Sequence, residues 1–154
     1  LIESVRIAAP LVRKSEGLRL RSYVCPAGKL TIGYGHTGSD VTAGLSITKE
    51  RAETLLEADL AVALAGVRGY VRVPLTAHQE AALIDFVFNL GVGNLSSSTL
   101  LRKLNARDYA AVPSQLRRWV YGEVNGKSTK LPGLITRREA AVCLWQSKGN
   151  THLQ

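Results

Sequence analysis

The sequence predicts an α+β fold, mainly helical, in which a small sheet-bearing lobe is joined by a helix to an all-helical lobe. Three observations predict it. Apolar residues recur at helical spacing over most of the chain. One stretch, residues 23–44, instead sets Gly28, Gly33, Gly35, Gly38 and Gly44 among short runs rich in Tyr, Val, Thr and Ile, the texture of a small hairpin-like sheet with turns. Finally, Thr76-Ala-His-Gln79 has the form of a capping box immediately before an apolar run.

Taken in order, residues 2–15 place Ile2, Val5, Ala9 and Val12 on one helical face, with Gly17 as the stop. Pro10 within that run is expected to kink the helix or move its start. After the glycine-rich stretch, Thr48 is a plausible N-cap for a connecting helix to about Arg68, whose apolar positions are Ala52, Leu55, Leu56, Leu60, Ala63 and Leu64. Residues 81–90 are apolar nearly all round, which indicates a buried central helix ended by Gly91 and Gly93. Shorter helices are expected at 98–105, 108–119 and 136–146, the last opened by a second capping box, Thr136-Arg-Arg-Glu139. Residues 122–133 read as a polar, basic loop. The 154 residues then form one domain: a smaller lobe over about 14–48, a connecting helix over about 48–68, and a helical lobe over about 75–150 on which the first helix packs. The cleft between the lobes is the natural place for a ligand.

A chain of this length typically buries roughly 68–70% of its unfolded surface, so it needs neither metal nor disulfide to fold. No run approaches the roughly 18 apolar residues of a membrane span. The formal net charge of +8 draws polyanions to the surface; nucleic acid, anionic membrane and bacterial cell wall all satisfy it. Cys25 and Cys143 allow at most one bridge, and three scattered histidines lack metal-ligand spacing. Neither a metal nor a cofactor is expected.

Chemistry concentrates in Glu16-Gly-Leu-Arg-Leu20, then Tyr23, Cys25, Gly28 and Leu30-Thr-Ile-Gly-Tyr-Gly-His36. Here a carboxyl at a helix end is followed by a hairpin that folds back across it. Glycosidic cleavage needs an acid for the leaving oxygen and, on the opposite face of the sugar, a group that activates water or attacks. Glu16 suits the first task, and Cys25 and Thr31 lie where a water could be held.

The interval of eight residues between Glu16 and Cys25, and of five between Cys25 and Thr31, resembles the catalytic signature of the phage lysozymes, glycoside hydrolase family 24, and most closely that of lambdoid-phage endolysins. The likeness continues through TIGYGHTG, LIDFVFNLGVG, STLLRKLN, Trp119 and GLITRRE, nearly the whole chain. The resemblance implies a lysozyme-like two-lobed fold and, as function, hydrolysis of the β-1,4 bond between N-acetylmuramic acid and N-acetylglucosamine in peptidoglycan for host lysis. It makes Glu16 the proton donor and Thr31 a positioner of water. Cys25 stands where most members have aspartate, which leaves its role open between base, nucleophile and electrostatic stabiliser. Asn89, Gly35 and Arg137 are the candidate substrate-binding residues: Asn89 as a cleft-lining amide suited to an N-acetyl group, Arg137 as a cation reaching across to the catalytic glutamate. His36 reads as structural, in an ion pair with Asp59 implied by the same resemblance. Arg138 reads equally well as a solvated residue of a basic helix start. His78 and His152 read as surface residues, Trp119 and Trp145 as core, and Cys143 as a buried free thiol.

The expected partners are peptidoglycan and an anionic cell envelope, with no specific nucleic acid and a monomeric enzyme. The first residue is Leu1, so a preceding membrane anchor is compatible with the sequence. Some related endolysins carry one, and some of those cage the catalytic cysteine as a disulfide. The expected setting is the host cytoplasm or an inner-membrane tether before release, and the periplasm in action. Two alternatives compete: a lytic transglycosylase using the same acid, and a non-enzymatic basic module binding cell wall or nucleic acid. The basic residues are dispersed and no helix-turn-helix, zinc-finger or RNP signature is present.

Overall fold

A computed structural model describes residues 1–148; His152 lies outside the described residues. The first helix, α1 (Glu3–Glu16), buries Val5, Ala8, Ala9 and Val12, while Ile2 stands exposed at its N-cap. It runs through Pro10 without a break. Pro10 is exposed, and the Arg6 carbonyl that loses its usual donor belongs to an exposed residue, where water can serve it.

Strands β1 (Arg19–Val24), β2 (Leu30–Gly33) and β3 (His36–Thr37) form an antiparallel sheet in sequence order, with Tyr23 opposite Thr31 and Thr31 opposite Thr37. The register slips between Arg19 and Tyr23, and there Arg21 pairs instead with Ser46. A small apolar cluster of Ile32, Val41 and Leu55 fastens this sheet to the connecting helix α2 (Lys49–Tyr70). Thr48 caps α2 by accepting from the Arg51 N–H, and all six expected apolar positions are buried.

Helix α3 (Ala77–Leu90) opens with the complete capping box of Thr76 and Gln79. Residues 81–87 are buried on every side because α1, α2 and the last helix surround it. Gly91 ends α3, but Gly93 lies inside a further short helix, α4 (Val92–Ser96). Ser98 caps α5 (Thr99–Asn105). The helix expected over 108–119 is shorter and broken: a single 3-10 turn, Tyr109–Ala111, leads into α6 (Val112–Leu116), with Pro113 in its first turn.

The expected loop at 122–133 is mostly a hairpin, β4 (Tyr121–Val124) and β5 (Lys127–Lys130). Both strands are largely exposed, β5 is polar throughout and Tyr121 and Val124 of β4 fall on opposite faces, so no apolar alternation announces them. The signal was Asn125-Gly126, whose φ values of 51° and 77° suit the two-residue turn that matches strand twist. The last helix, α7 (Pro132–Gln146), starts four residues earlier than expected, because Pro132 takes the first-turn position where its missing N–H costs nothing. Thr136 is therefore inside the helix and no second capping box forms; Glu139 instead accepts from Arg117 at 2.7 Å. One further expectation fails on α7: Cys143 is exposed rather than buried. Arg138, for which the sequence left the solvated reading open, is wholly buried. The two cysteines are free.

Candidate active site

Glu16 is the last residue of α1, where Gly17 with φ of 70° turns the chain away toward β1. Its carboxylate is about one quarter exposed. Arg137 Nη1 donates to Glu16 Oε1 at 2.6 Å, while its Nε and Nη2 donate to Asp85 Oδ1 at 3.0 and 2.8 Å. Asp85 is fully buried in the otherwise apolar run 81–88 of α3, and Arg137 is 6% exposed. Burial disfavours the Arg137 cation, but the adjacent carboxylates of Asp85 and Glu16 outweigh it and raise its pKa above the ordinary value.

Arg138 completes the knot from the other side. Its Nε donates to the Trp119 carbonyl at 3.0 Å, its Nη2 to Asn89 Oδ1, and its Nη1 faces Asp85 Oδ2 at 3.6 Å. Burial drives its pKa down to about 10, partly offset by Asp85 and reinforced by Arg137; it remains a cation at neutral pH. Two carboxylates and two guanidiniums thus balance in a nearly dry setting, where an unpaired charge is costly. Asp85 and Arg138 were not singled out as site residues from sequence. The available signal was one charge in a run of buried apolar residues, which demands a buried partner.

Gly35 closes against the same acid. Its φ is 80°, and a Cβ there would lie 3.1 Å from Glu16 Oε2. On one side of this contact, Glu16, Arg137 and Asn89 line a cavity of about 760 Å³ with Leu11, Lys14 and the start of α7. On the other, Gly35 and Thr37 face α2, α3 and α4 across a cavity of about 540 Å³ that includes Asp59, Val62 and Phe88. Glu16 thus lines the first cavity, and Gly35, which approaches it, lines the second.

Cys25 is half-buried at the end of β1, its N–H bonded to the Lys29 carbonyl at 2.9 Å across the turn. The Lys29 N–H, and after it the Thr31 hydroxyl, lower the thiol pKa from its ordinary value. Thr31 is 3% exposed and also reaches the Lys29 carbonyl at 3.0 Å.

His36 bonds Asp59 through Nδ1 at 2.7 Å, and Asp40, which the sequence did not reveal, through Nε2 at 3.0 Å. Burial opposes its charge, yet the two carboxylates prevail and its pKa is raised. Nearby, Glu53 accepts from Arg13 at 2.8 Å and from the Tyr34 hydroxyl at 2.9 Å, tying α1, α2 and the end of β2 together behind the site. Trp119 is fixed edge-on against Phe86 at 5.2 Å, and Trp145 is buried.

Comparison with known proteins agrees with this geometry. The Phage lysozyme family matches residues 13–141. An endolysin of Acyrthosiphon pisum secondary endosymbiont phage 1 is 44% identical over 137 residues, spanning 89% of this chain and 93% of that one. A SAR-endolysin of Bacteriophage PS119 is 42% identical over 132 residues, 84% of this chain and 77% of its own. Among solved structures, the muramidase domain of SpmX from Asticaccaulis excentricus superimposes with a TM-score of 0.86 at 34% identity, covering 92% of this chain and 96% of that one. Matched by the family over residues 13–141 and by relatives more than 40% identical over most of its length, the chain belongs to the phage lysozyme family.

Proposed function

We propose that this protein is an endolysin muramidase, a glycoside hydrolase cutting the β-1,4 bond between N-acetylmuramic acid and N-acetylglucosamine in bacterial peptidoglycan, with Glu16 as its general acid. The observation that carries this reading is the placement of Glu16: a helix-terminal carboxyl held by a buried arginine, with Gly35 packed against it, in the wall of a cavity it shares with Arg137 and Asn89.

Glu16 gives its proton to the glycosidic oxygen as the bond to the anomeric carbon breaks. A water attacks that carbon from the opposite face and passes a proton to the Cys25 thiolate, with Thr31 positioning the water; the configuration inverts. The hydrogen bonds that lower the Cys25 pKa favour the thiolate this step needs. Solvent then removes the proton from Cys25 and restores one to Glu16. Asn89, Gly35 and Arg137 shape the binding surface, and the His36–Asp59 pair braces the sheet against α2.

The enzyme works as a monomer in the periplasm, where its positive charge favours the acidic wall and envelope. Before release it resides in the host cytoplasm or tethered to the inner membrane. Among the described residues no helix is long and apolar enough to cross a membrane.

Digestion of purified peptidoglycan in heavy-oxygen water tests the reaction. Heavy oxygen at a reducing muramic acid end, absent with Glu16→Gln, is the expected result. Unlabelled anhydro ends would identify a transglycosylase, and no products at all a binding module.

A further inference from the structure

The buried Arg138 touches neither the cavity nor Glu16, yet it ends on a residue that does. Asn89 lines the cavity beside Glu16 and Arg137, and its carboxamide oxygen faces Arg138 Nη2. The orientation follows from chemistry. A guanidinium has five N–H donors and no acceptor, so the Asn89 atom turned toward it must be the oxygen. The amide N–H₂ must then point the other way. Among the described residues that N–H₂ has no hydrogen-bond partner. Arg138 itself has little freedom to turn. It is wholly buried, its Nε is bonded to the Trp119 carbonyl, its guanidinium lies 5.8 Å from the centre of the Phe86 ring, and its Nη1 faces Asp85.

We propose that Arg138 is a positioning residue for substrate selection: it locks the Asn89 carboxamide with its two N–H donors toward the cleft, so that this wall reads a carbonyl acceptor, the acetamido group of the glycan. Free in a cleft, an asparagine could turn either end to the substrate and would tolerate donors and acceptors alike. Held by a donor-only neighbour, it accepts one polarity. A site that leaves a polar group unpaired with the wrong ligand discriminates more sharply than one that merely fits it. Asp85 connects the two arginines, since its Oδ1 accepts from Arg137, which holds Glu16, while its Oδ2 faces Arg138, which holds Asn89.

The inference rests on the muramidase reading, and the experiment separates the two. Initial rates are measured on solubilised N-acetylated peptidoglycan and on the same polymer after chemical de-N-acetylation, which replaces each acetamido acceptor by an ammonium donor, in about 1 M salt so that the added charge is screened beyond about 3 Å. Wild type is expected to show a KM about tenfold lower for the acetylated polymer, the usual scale for one hydrogen bond to an otherwise unpaired group. Arg138→Gln, which offers Asn89 an acceptor as readily as a donor, is expected to bring the two KM values within about twofold. Because Arg138 also balances Asp85, the readout is the ratio of the two KM values within each variant and not kcat itself. Arg138→Lys, again donor-only, should restore part of the preference. Asn89→Asp leaves Arg138 in place and should lose the preference too, so the idea stays testable if Arg138→Gln folds poorly. Preference retained in both Arg138→Gln and Asn89→Asp would overturn the inference, as would a fall in kcat with KM preference intact. A wild type that cleaves neither polymer would overturn the muramidase reading and this inference with it.

Discussion

Arg137 Nη1 donates to Glu16 Oε1 at 2.6 Å although the two residues stand 121 positions apart. The bond joins the last residue of α1 to the first half of α7, and the same guanidinium is held on its far side by Asp85 of α3. Three helices therefore agree on the position of one carboxylate.

Removing that guanidinium should cost both stability and activity. Arg137→Leu leaves the buried Asp85 with one cation fewer and frees Glu16. Breaking a buried pair from one side typically costs about 3–5 kcal/mol, and urea unfolding should show a loss on that scale. Glu16→Gln keeps the Arg137–Asp85 pair, so unfolding should hardly move while kcat falls on the order of 10²–10⁴.

Gly35→Ala should damage catalysis more than folding. A φ of 80° costs a side-chain-bearing residue about 1–2 kcal/mol. The new Cβ would sit 3.1 Å from Glu16 Oε2 and push the acid out of place. Misplacement by about 1 Å is worth about 10² in rate. Thermal unfolding should therefore shift by a few degrees, while kcat falls about a hundredfold.

The His36 cluster predicts a pH dependence with a definite sign. The folded pKa of His36 is raised, so its charge contributes fully below the unfolded value of about 6.5 and is lost as pH rises through the folded value. The pKa of its partner Asp40 is lowered from 3.8 by the hydrogen bond to His36, so that contribution is lost as pH falls through the depressed value. Wild type should exceed His36→Gln in stability most between about pH 4 and 6.5, with the gap closing on the alkaline side. Urea titrations at intervals of pH measure it; a gap that widens with rising pH would refute the assignment.

Cys25→Asp should keep activity within about tenfold, whereas Cys25→Ala should lose on the order of 10². In the proposed mechanism the base acts deprotonated, so replacing a thiol, even one below its ordinary 9.0, by a carboxyl should move the acidic limb of the pH–rate profile to lower pH. Measured in a Cys143→Ala background, thiol alkylation should silence the cysteine enzyme and spare the aspartate variant.

Salt should slow the enzyme on intact wall. A net charge of +8 attracts an acidic polymer over a distance that shrinks from about 10 Å at 0.1 M salt to about 3 Å at 1 M. The rate on whole sacculi should fall across that range, and an unchanged rate would exclude charge as the means of approach.

The sequence was legible wherever the cause of structure is local. Helical spacing marked α2 and α3, Thr48 and Thr76 announced their starts, and the glycine-rich stretch announced the sheet. The Glu16, Cys25 and Thr31 intervals, read with the family resemblance, named candidates for the acid and its opposing hairpin. Misreadings arose where two local signals competed. Thr136-x-x-Glu139 has the form of a helix start, but Pro132 begins the helix four residues earlier; the Asn125-Gly126 turn is a weak signal in sequence because its strands present no continuous apolar face.

Contacts between distant segments were decided only by the tertiary structure. Adjacent arginines at 137 and 138 look alike in sequence, yet helical rotation sends one to Glu16 and the other to Asn89. Asp85 becomes their common partner because α3 is enclosed by other elements, and a charge buried there must be met by opposite charge from whichever helix packs against it. Burial converts an unremarkable polar pattern into a fixed network, and burial is a property of the whole packed chain.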